Sequence, residues 1–238
     1  MANQIVLTAW DGAFLTALQA DPSLPQMMAS LKEKGVSVVA FTWRDRAELE
    51  PIRAQLNWID PFITESGSGI FSSAAYNPFN PALGEQEGDY YVQELGCPYV
   101  QARAGLRVLA NLLGHPLKGF GDFTVPKLQQ FLEISEDAAH RAKAREFSEL
   151  FMTPKAVEPT ALMKAAEEMG FGIILRSDEE SRFSELIGAK AGLAAAVEQV
   201  VAAYQRQLAA GETLRVLRMG DRKDELTPLA EALPPLRS

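Results

Sequence analysis

Short apolar runs alternate with helical patterns along the first part of this 238-residue chain. The runs cover residues 5–8, 36–42 and 62–64, and helical patterns at about 24–34 and 47–55 separate them. Neighbouring parallel strands need a crossover connection, which is usually a helix, so this alternation predicts βαβ units around a parallel sheet. The predicted fold class is therefore α/β.

A second pattern interrupts this alternation. Residues 71–88 are dense in Asn, Pro and Gly, which is typical of a loop or a domain crossover. The strand-like and helical patterns that follow this loop predict an inserted α+β cap. Its strands are predicted at 90–95, 147–152 and 171–175, and its helices at 99–113, 136–146 and 160–169. A helix at 191–208 and a last strand at 213–219 return to the core. The predicted domains are a first core part (1–86), a cap (87–188) and a second core part (189–238).

Composition and charge limit the partners that this chain can have. A formal net charge of -8 disfavours non-specific binding to nucleic acid or anionic lipid, since both need an excess of Lys and Arg. We expect a small polar or phosphorylated partner. The single cysteine, Cys97, has no disulfide partner in the chain and is expected to be a free thiol in a reducing compartment. The N-terminus lacks the pattern of a signal peptide, and the expected location is the cytoplasm.

Polar side chains stand where the predicted core strands end. Asp11, Thr42, Ser66 and Asp221 each follow an apolar run. In an open α/β sheet, ligands bind beyond the carboxyl ends of the strands, so we expect these four side chains to converge. This edge of the sheet is the candidate site.

Four segments in this order, residues 4–12, 38–48, 61–69 and 216–225, resemble motifs of the haloacid dehalogenase (HAD) superfamily. Within that superfamily they are similar to those of the mannosyl-3-phosphoglycerate phosphatases. The resemblance implies a HAD-like Rossmannoid core with a parallel sheet and an inserted α+β cap domain. It also implies a chemistry in which a strand-end Asp attacks phosphorus and a second Asp, two residues on, serves as acid and base. A hydroxyl and a Lys bind the phosphoryl oxygens, and a late acidic pair holds Mg²⁺.

The first motif departs from the family at the nucleophile. Where the family has Asp-x-Asp-Gly-Thr, this chain has Ala-Trp-Asp-Gly-Ala at residues 9–13. The resemblance therefore puts Ala9 at the nucleophile position and keeps Asp11 as the acid and base. Thr42 matches the phosphate-binding hydroxyl. Trp10 is expected to pack in the core, because aromatic side chains mostly do so.

Seven further residues match the family's substrate-binding segments. By resemblance they are Arg44, Ser66, Gly67, Arg145, Glu149, Arg182 and Lys190. Ser66 stands where the family has Asn, and Glu65 before it matches. The lysine has two alternatives, because counting without gaps places it at Leu193, whereas a short gap makes it Lys190. Lys190 is otherwise an exposed lysine. Without the family pattern, Arg145 and Glu149 would be a surface ion pair at i, i+4 spacing.

The late acidic motif also departs from the family. The implied Mg²⁺ ligands are Asp11, Asp221 and Glu225, with Asp224 where Asn is usual. Mg²⁺ demands near-ideal octahedral oxygen geometry, so the longer Glu225 side chain predicts a weakened magnesium site.

Three hypotheses about function follow. The first is a pseudophosphatase that binds a sugar phosphate or a protein partner without efficient hydrolysis. The second is an active Mg²⁺-dependent phosphatase acting on mannosyl- or glucosyl-3-phosphoglycerate or a related sugar phosphate, with water attacking directly and Asp11 as base. The third, a nucleophile replaced on purpose to trap substrate, is disfavoured because Trp10, Ala13 and Ser66 depart from the family as well.

Overall fold

The computed structural model describes residues 4–11, 24–175 and 182–219. The strands in these ranges are β1 Gln4–Ala9, β2 Val36–Phe41, β3 Phe62–Thr64, β4 Gly69–Ser73, β5 Glu85–Glu87, β6 Tyr90–Glu94, β7 Ser148–Met152, β8 Phe171–Ile174, β9 Phe183–Gly188 and β10 Arg215–Met219. The α-helices are α1 Leu24–Glu33, α2 Arg46–Leu56, α3 Tyr99–Leu113, α4 Val125–Leu132, α5 Glu136–Arg141, α6 Pro159–Glu168 and α7 Leu193–Arg206.

The larger sheet has seven strands in the order β10-β1-β2-β3-β4-β6-β5. Strands β10, β1, β2 and β3 are parallel, with Val6 opposite both Val38 and Leu217. Strands β4, β6 and β5 extend the sheet with antiparallel pairs. The predicted α/β class with a parallel sheet is confirmed, and the parallel half brings the ends of β1, β2 and β3 to one edge.

Both faces of the parallel strands β1, β2 and β3 are buried, as expected where helices cover both sides of a sheet. One face carries Val6, Val38 and Phe62 in a cluster that includes Leu31 of α1 and Leu49 of α2. The other face packs against α7 through a second apolar cluster. That cluster includes Ile5, Leu7, Val39, Ile63 and Val200. The two faces hold β1 and β2 firmly, which fixes the positions of the loops that follow them.

The second sheet is antiparallel, in the order β7-β9-β8. One apolar cluster joins Phe151 and Leu186 of this sheet to Leu109 of α3 and Leu162 of α6. Another joins Leu150 to residues of α4 and α5. This sheet and its helices are the α+β unit that the sequence predicts between the two parts of the core.

The structure differs from the predicted elements in several places, including strand β5 at 85–87 inside the predicted loop. Residues 69–73, which overlap the predicted loop, form β4, because a tight turn at residues 65–67 folds the chain back onto β3. The strand at 90–94, predicted in the cap, pairs with β4 in the large sheet. Helix α4 was not predicted. Helix α5 ends at Arg141 rather than near 146, because 3₁₀-type hydrogen bonds turn the chain at residues 140–144. The domain boundaries stay a prediction. No helix in the described ranges is long and apolar enough to cross a membrane.

Candidate functional site

Asp11 and Thr42 meet at the carboxyl edge of the parallel sheet. The Thr42 hydroxyl donates a hydrogen bond of 2.6 Å to Oδ1 of Asp11. The backbone supports this contact, because the Trp10 amide donates to the Phe41 carbonyl at 2.9 Å. Thr42 is buried and Asp11 is half-buried. The expected convergence of these two side chains is therefore present, whereas their roles stay predictions.

Ala9 is the last residue of β1 and is buried. It pairs with Phe41 of β2. Strand alternation places its methyl group on the same face as Ile5 and Leu7. A methyl group has no lone pair, so it supplies neither a nucleophile nor a metal ligand. Trp10 is fully buried beside Trp58, with ring centroids 4.3 Å apart, which confirms its expected packing position.

The turn Glu65–Gly67 after β3 is held to the loop after β2 by backbone hydrogen bonds. The Ser66 amide donates to the Thr42 carbonyl at 3.0 Å, and the Glu65 amide donates to the Arg44 carbonyl at 2.9 Å. Ser66 has a φ of 54° and Gly67 a φ of 93°. A Cβ on Gly67 would lie 2.3 Å from the carbonyl carbon of Gly192, so this close approach requires glycine.

A buried polar cluster links this turn to the second sheet. We call its five members, Glu65, Ser66, Arg145, Ser148 and Glu185, the Arg145 cluster. The Arg145 guanidinium donates to the Ser148 hydroxyl, to the Trp43 carbonyl at 3.1 Å and to the Glu185 carboxylate. Its side chain is 1% exposed. In this structure Arg145 is therefore enclosed by protein groups rather than presented to solvent.

Glu65, in the turn after β3, is completely buried within this cluster. Its carboxylate accepts from the amides of Glu146 at 2.8 Å and Phe147 at 3.1 Å and from the Ser148 hydroxyl at 2.6 Å. Burial raises its pKa, while Arg145 and these hydrogen bonds act in the opposite direction. Two backbone amides of the cap thus donate hydrogen bonds to a carboxylate of the core.

Asp45 lies next to this cluster and caps α2. Its Oδ1 accepts from the Glu48 amide at 3.0 Å, as an N-cap side chain does. Its Oδ2 has no hydrogen-bond partner among the residues that the structure describes. Burial and the nearby Glu48 charge raise the pKa of Asp45 to about 7.

The remaining predicted substrate ligands are placed in different ways. Arg44 is half-buried and forms an ion pair with Glu48 at 2.5 Å. Glu149 is buried and accepts from the Gly121 amide at 3.0 Å, and burial raises its pKa. The alternative of a surface ion pair between Arg145 and Glu149 is wrong, because both are buried and residues 148–152 form a strand.

The two basic candidates at the end of the cap are exposed. Arg182 precedes β9, and Lys190 lies in the turn between β9 and α7. Leu193, the ungapped match to the family lysine, begins α7. Asp221 and Glu225 lie outside the described residues. Across residues 4–11, 24–175 and 182–219, no group of three His, Cys, Asp or Glu side chains is arranged to hold a metal ion, and Asp11 is the one implied magnesium ligand in those ranges.

The sequence alone assigned no individual role to Glu185, Ser148 or Asp45. A signal for the first two was present, because residues 147–150 and 183–186 are both Phe-Ser-Glu-Leu. A glutamate in the middle of an apolar strand is rarely buried without a partner, so each copy indicates a buried polar contact. The partners themselves depend on the antiparallel register, in which Leu150 lies opposite Glu185.

No protein-family profile matches the chain. The glucosyl-3-phosphoglycerate/mannosyl-3-phosphoglycerate phosphatase of Persephonella marina is 29% identical over 235 residues, which are 98% of this chain and 83% of that protein. The mannosyl-3-phosphoglycerate phosphatase of Pyrococcus furiosus is 33% identical over 146 residues, which are 61% of this chain and 59% of that protein. Among solved structures, a haloacid dehalogenase-like hydrolase from B. subtilis matches with a TM-score of 0.58 at 14% identity, over 94% of this chain and 92% of that one. The last match is a likeness of fold.

Proposed function

We propose that this chain, which is similar in sequence to mannosyl-3-phosphoglycerate phosphatases and in fold to a haloacid dehalogenase-like hydrolase, binds a phosphate ester but hydrolyses it weakly or not at all. The proposed ligand is a phosphorylated sugar or glycerate, the class named for its relatives. A protein partner is the alternative ligand. A cytoplasmic location belongs to the same proposal, which a single buried thiol supports.

Ala9 carries this proposal. It ends β1 two residues before Asp11, at the position that the family gives to its nucleophile. Without that carboxylate no aspartyl-phosphate intermediate can form, and the transfer is no longer divided into two easier steps. Loss of a nucleophile costs on the order of a million-fold in rate, or about 8 kcal/mol in the barrier.

Asp11 and Thr42 support continued binding of a phosphate ester. The 2.6 Å hydrogen bond fixes the Asp11 carboxylate at the edge where ligands bind in such sheets. The two-residue offset from Ala9 suits Asp11 to proton transfer rather than to attack on phosphorus. Ser66 is held beside Thr42 by a backbone hydrogen bond, but in this structure its hydroxyl donates to Glu185 and so has no hydrogen left for a phosphate oxygen.

The retained Asp11 also favours a second candidate function, an active phosphatase in which water attacks directly. Asp11 would accept the proton of that water, and positioning of the ligand could lower the barrier by several kcal/mol. Mg²⁺ bound by Asp11, Asp221 and Glu225 would offset the negative charge on the phosphoryl oxygens. Of these three, only Asp11 lies among the described residues.

The test is phosphate release from mannosyl- and glucosyl-3-phosphoglycerate, with and without Mg²⁺, by wild type, Ala9→Asp and Asp11→Asn. We expect little release by wild type and a gain in Ala9→Asp, because the change restores a carboxylate at the strand end. Binding of the same esters is measured by calorimetry. Fast release by wild type that disappears in Asp11→Asn would favour the second candidate, and absence of both release and binding would leave the protein-partner alternative.

A further inference from the structure

The Arg145 cluster joins three segments of the chain that are far apart in sequence. Arg145 donates to the Trp43 carbonyl in the loop after β2 and contacts Glu65, after β3, at 3.6 Å. It also donates to the carboxylate of Glu185 on β9. One guanidinium thus touches both core loops of the candidate site and the cap sheet.

The second partners of the two glutamates extend these links. Glu65 accepts from two consecutive cap amides, those of Glu146 and Phe147. Glu185 accepts at its other oxygen from the Ser66 hydroxyl, at 2.5 Å. Glu65, a residue of the core, therefore binds groups of the cap, and Glu185, a residue of the cap sheet, binds a hydroxyl of the core.

Ser148 lies between the two carboxylates. Its hydroxyl oxygen is 2.6 Å from Glu65 and 3.0 Å from Glu185, and it accepts two N–H groups of Arg145. A hydroxyl has one hydrogen to donate, so the shorter contact to Glu65 takes it while Arg145 satisfies Glu185. The Glu65, Arg145 and Glu185 side chains are buried, where loss of one member leaves an uncompensated charge.

A nearby ion pair provides an internal comparison. Arg46 donates to both carboxylate oxygens of Glu146, at 2.9 and 3.1 Å, and so also connects core and cap. Both side chains are partly exposed, at 35% and 26%. Partly exposed pairs are screened by water and contribute less than fully buried ones. Replacement of Arg46 therefore removes a core–cap ion pair and leaves no fully buried charge without a partner.

We propose that Arg145, Ser148 and Glu185 are positioning residues that clamp the base of the cap to the turn at Ser66, and so hold the loops after β2 and β3 in a fixed arrangement beside Asp11, at the edge where the phosphate group would bind. Arg145 acts in this proposal through Glu65 and Glu185, not as a direct ligand of the substrate. The role in phosphate binding rests on the proposed function, whereas the fixed position of the turn does not.

Amide hydrogen exchange tests the clamp without any ligand. The informative amides are those of Ser66, Glu146 and Phe147, which donate to Thr42 and Glu65. In Arg145→Met we expect their exchange to rise by at least roughly 100-fold. In Ser148→Ala, which removes one hydroxyl and changes little volume, we expect about a tenfold rise. In Arg46→Met we expect the rates to stay within about threefold of wild type.

Arg145→Met could fail to fold, and the milder Ser148→Ala then decides. Wild-type exchange at Glu146 and Phe147 in Ser148→Ala would overturn the clamp. Equal increases of the exchange rates in Arg145→Met and Arg46→Met would also overturn the clamp, since loss of a buried ion pair should raise exchange more than loss of a partly exposed one.

Titration with inorganic phosphate tests positioning. We expect Ser148→Ala to weaken phosphate binding several-fold, because the loops beside Asp11 would lose their fixed arrangement. Leu162→Ala is the control, since it opens a cavity in the cap core away from the clamp and destabilises the cap. Equal weakening in both variants would overturn the positioning role and leave only a structural one. If wild type binds no phosphate, the proposed function fails, and the exchange rates alone decide whether the clamp exists.

Discussion

Replacing Asp45 by asparagine is expected to remove a pH-dependent loss of stability. Asp45 caps α2 by accepting from the Glu48 amide at 3.0 Å, and its other oxygen has no hydrogen-bond partner in the described ranges. Asparagine caps helices about as well as aspartate, so the exchange keeps the cap and removes the titrating group.

The direction follows from the pKa of Asp45, which burial and Glu48 raise from 3.8 to about 7. A carboxyl with a raised pKa binds its proton more tightly in the folded state. The stability that it contributes is complete below pH 3.8 and is lost as the pH rises through about 7. From about pH 5.5 to about pH 8.5 the wild type should lose about 2 kcal/mol of unfolding free energy relative to Asp45→Asn.

Urea unfolding followed by tryptophan fluorescence measures this difference, starting above the sequence pI of about 5.0 to avoid precipitation. Asp60 is another buried carboxyl with a raised pKa, but it is common to both proteins and is shifted by burial, Val38, Ser37, Lys32 and Arg53 rather than by Asp45, so its contribution cancels. Asp45→Ala is the control, since it loses the cap at a cost of about 1 kcal/mol relative to Asp45→Asn at every pH. A difference between wild type and Asp45→Asn that stays constant with pH would refute the reasoning.

Three further outcomes are expected. Gly67→Ala should lower the unfolding free energy by roughly 3 kcal/mol or more, because a positive φ is combined with a backbone clash, whereas Gly35→Ala, with a φ of 69° and open space, should cost about 1 kcal/mol. Urea unfolding measures both, and equal losses would contradict the clash. The Cys97 thiol, with its pKa raised to about 11 by burial and by Glu94, should react with iodoacetamide at neutral pH roughly 100-fold more slowly than in urea. Alkylation of the native protein as fast as in urea would contradict the raised pKa of Cys97. Ala9→Asp should raise phosphate release at least tenfold, and unchanged release would point to wider decay of the site.

Much of the core could be predicted from local pattern. The strands predicted at 5–8, 36–42 and 62–64 are present, because short apolar runs that alternate with helical patterns have to be buried in a sheet. The HAD-like fold class and the relation to mannosyl-3-phosphoglycerate phosphatases are both confirmed. Strand β4 was missed because its antiparallel pairing depends on positive φ angles at Glu65 and Ser66, which these residue types rarely adopt.

The candidate site was predicted in part. Asp11 and Thr42 are adjacent, since both follow strands of one parallel sheet. The environment of Arg145 was not predictable from its neighbours in sequence, because its partners Trp43, Glu65 and Glu185 lie 40 to 102 positions away. An arginine beside a glutamate at i, i+4 spacing has the same sequence pattern whether it lies on a helix surface or in a buried cluster.

The sequence by itself determined the parallel core, the polar groups at its strand ends and the absence of a carboxylate at Ala9. These depend on the period of the apolar residues and on residue identity, which are both local properties. The tertiary structure alone decided that Arg145, Ser148 and Glu185 face the turn at Ser66. Burial, charge pairing and pKa depend on which distant segments meet, and that is settled only when the two sheets pack together.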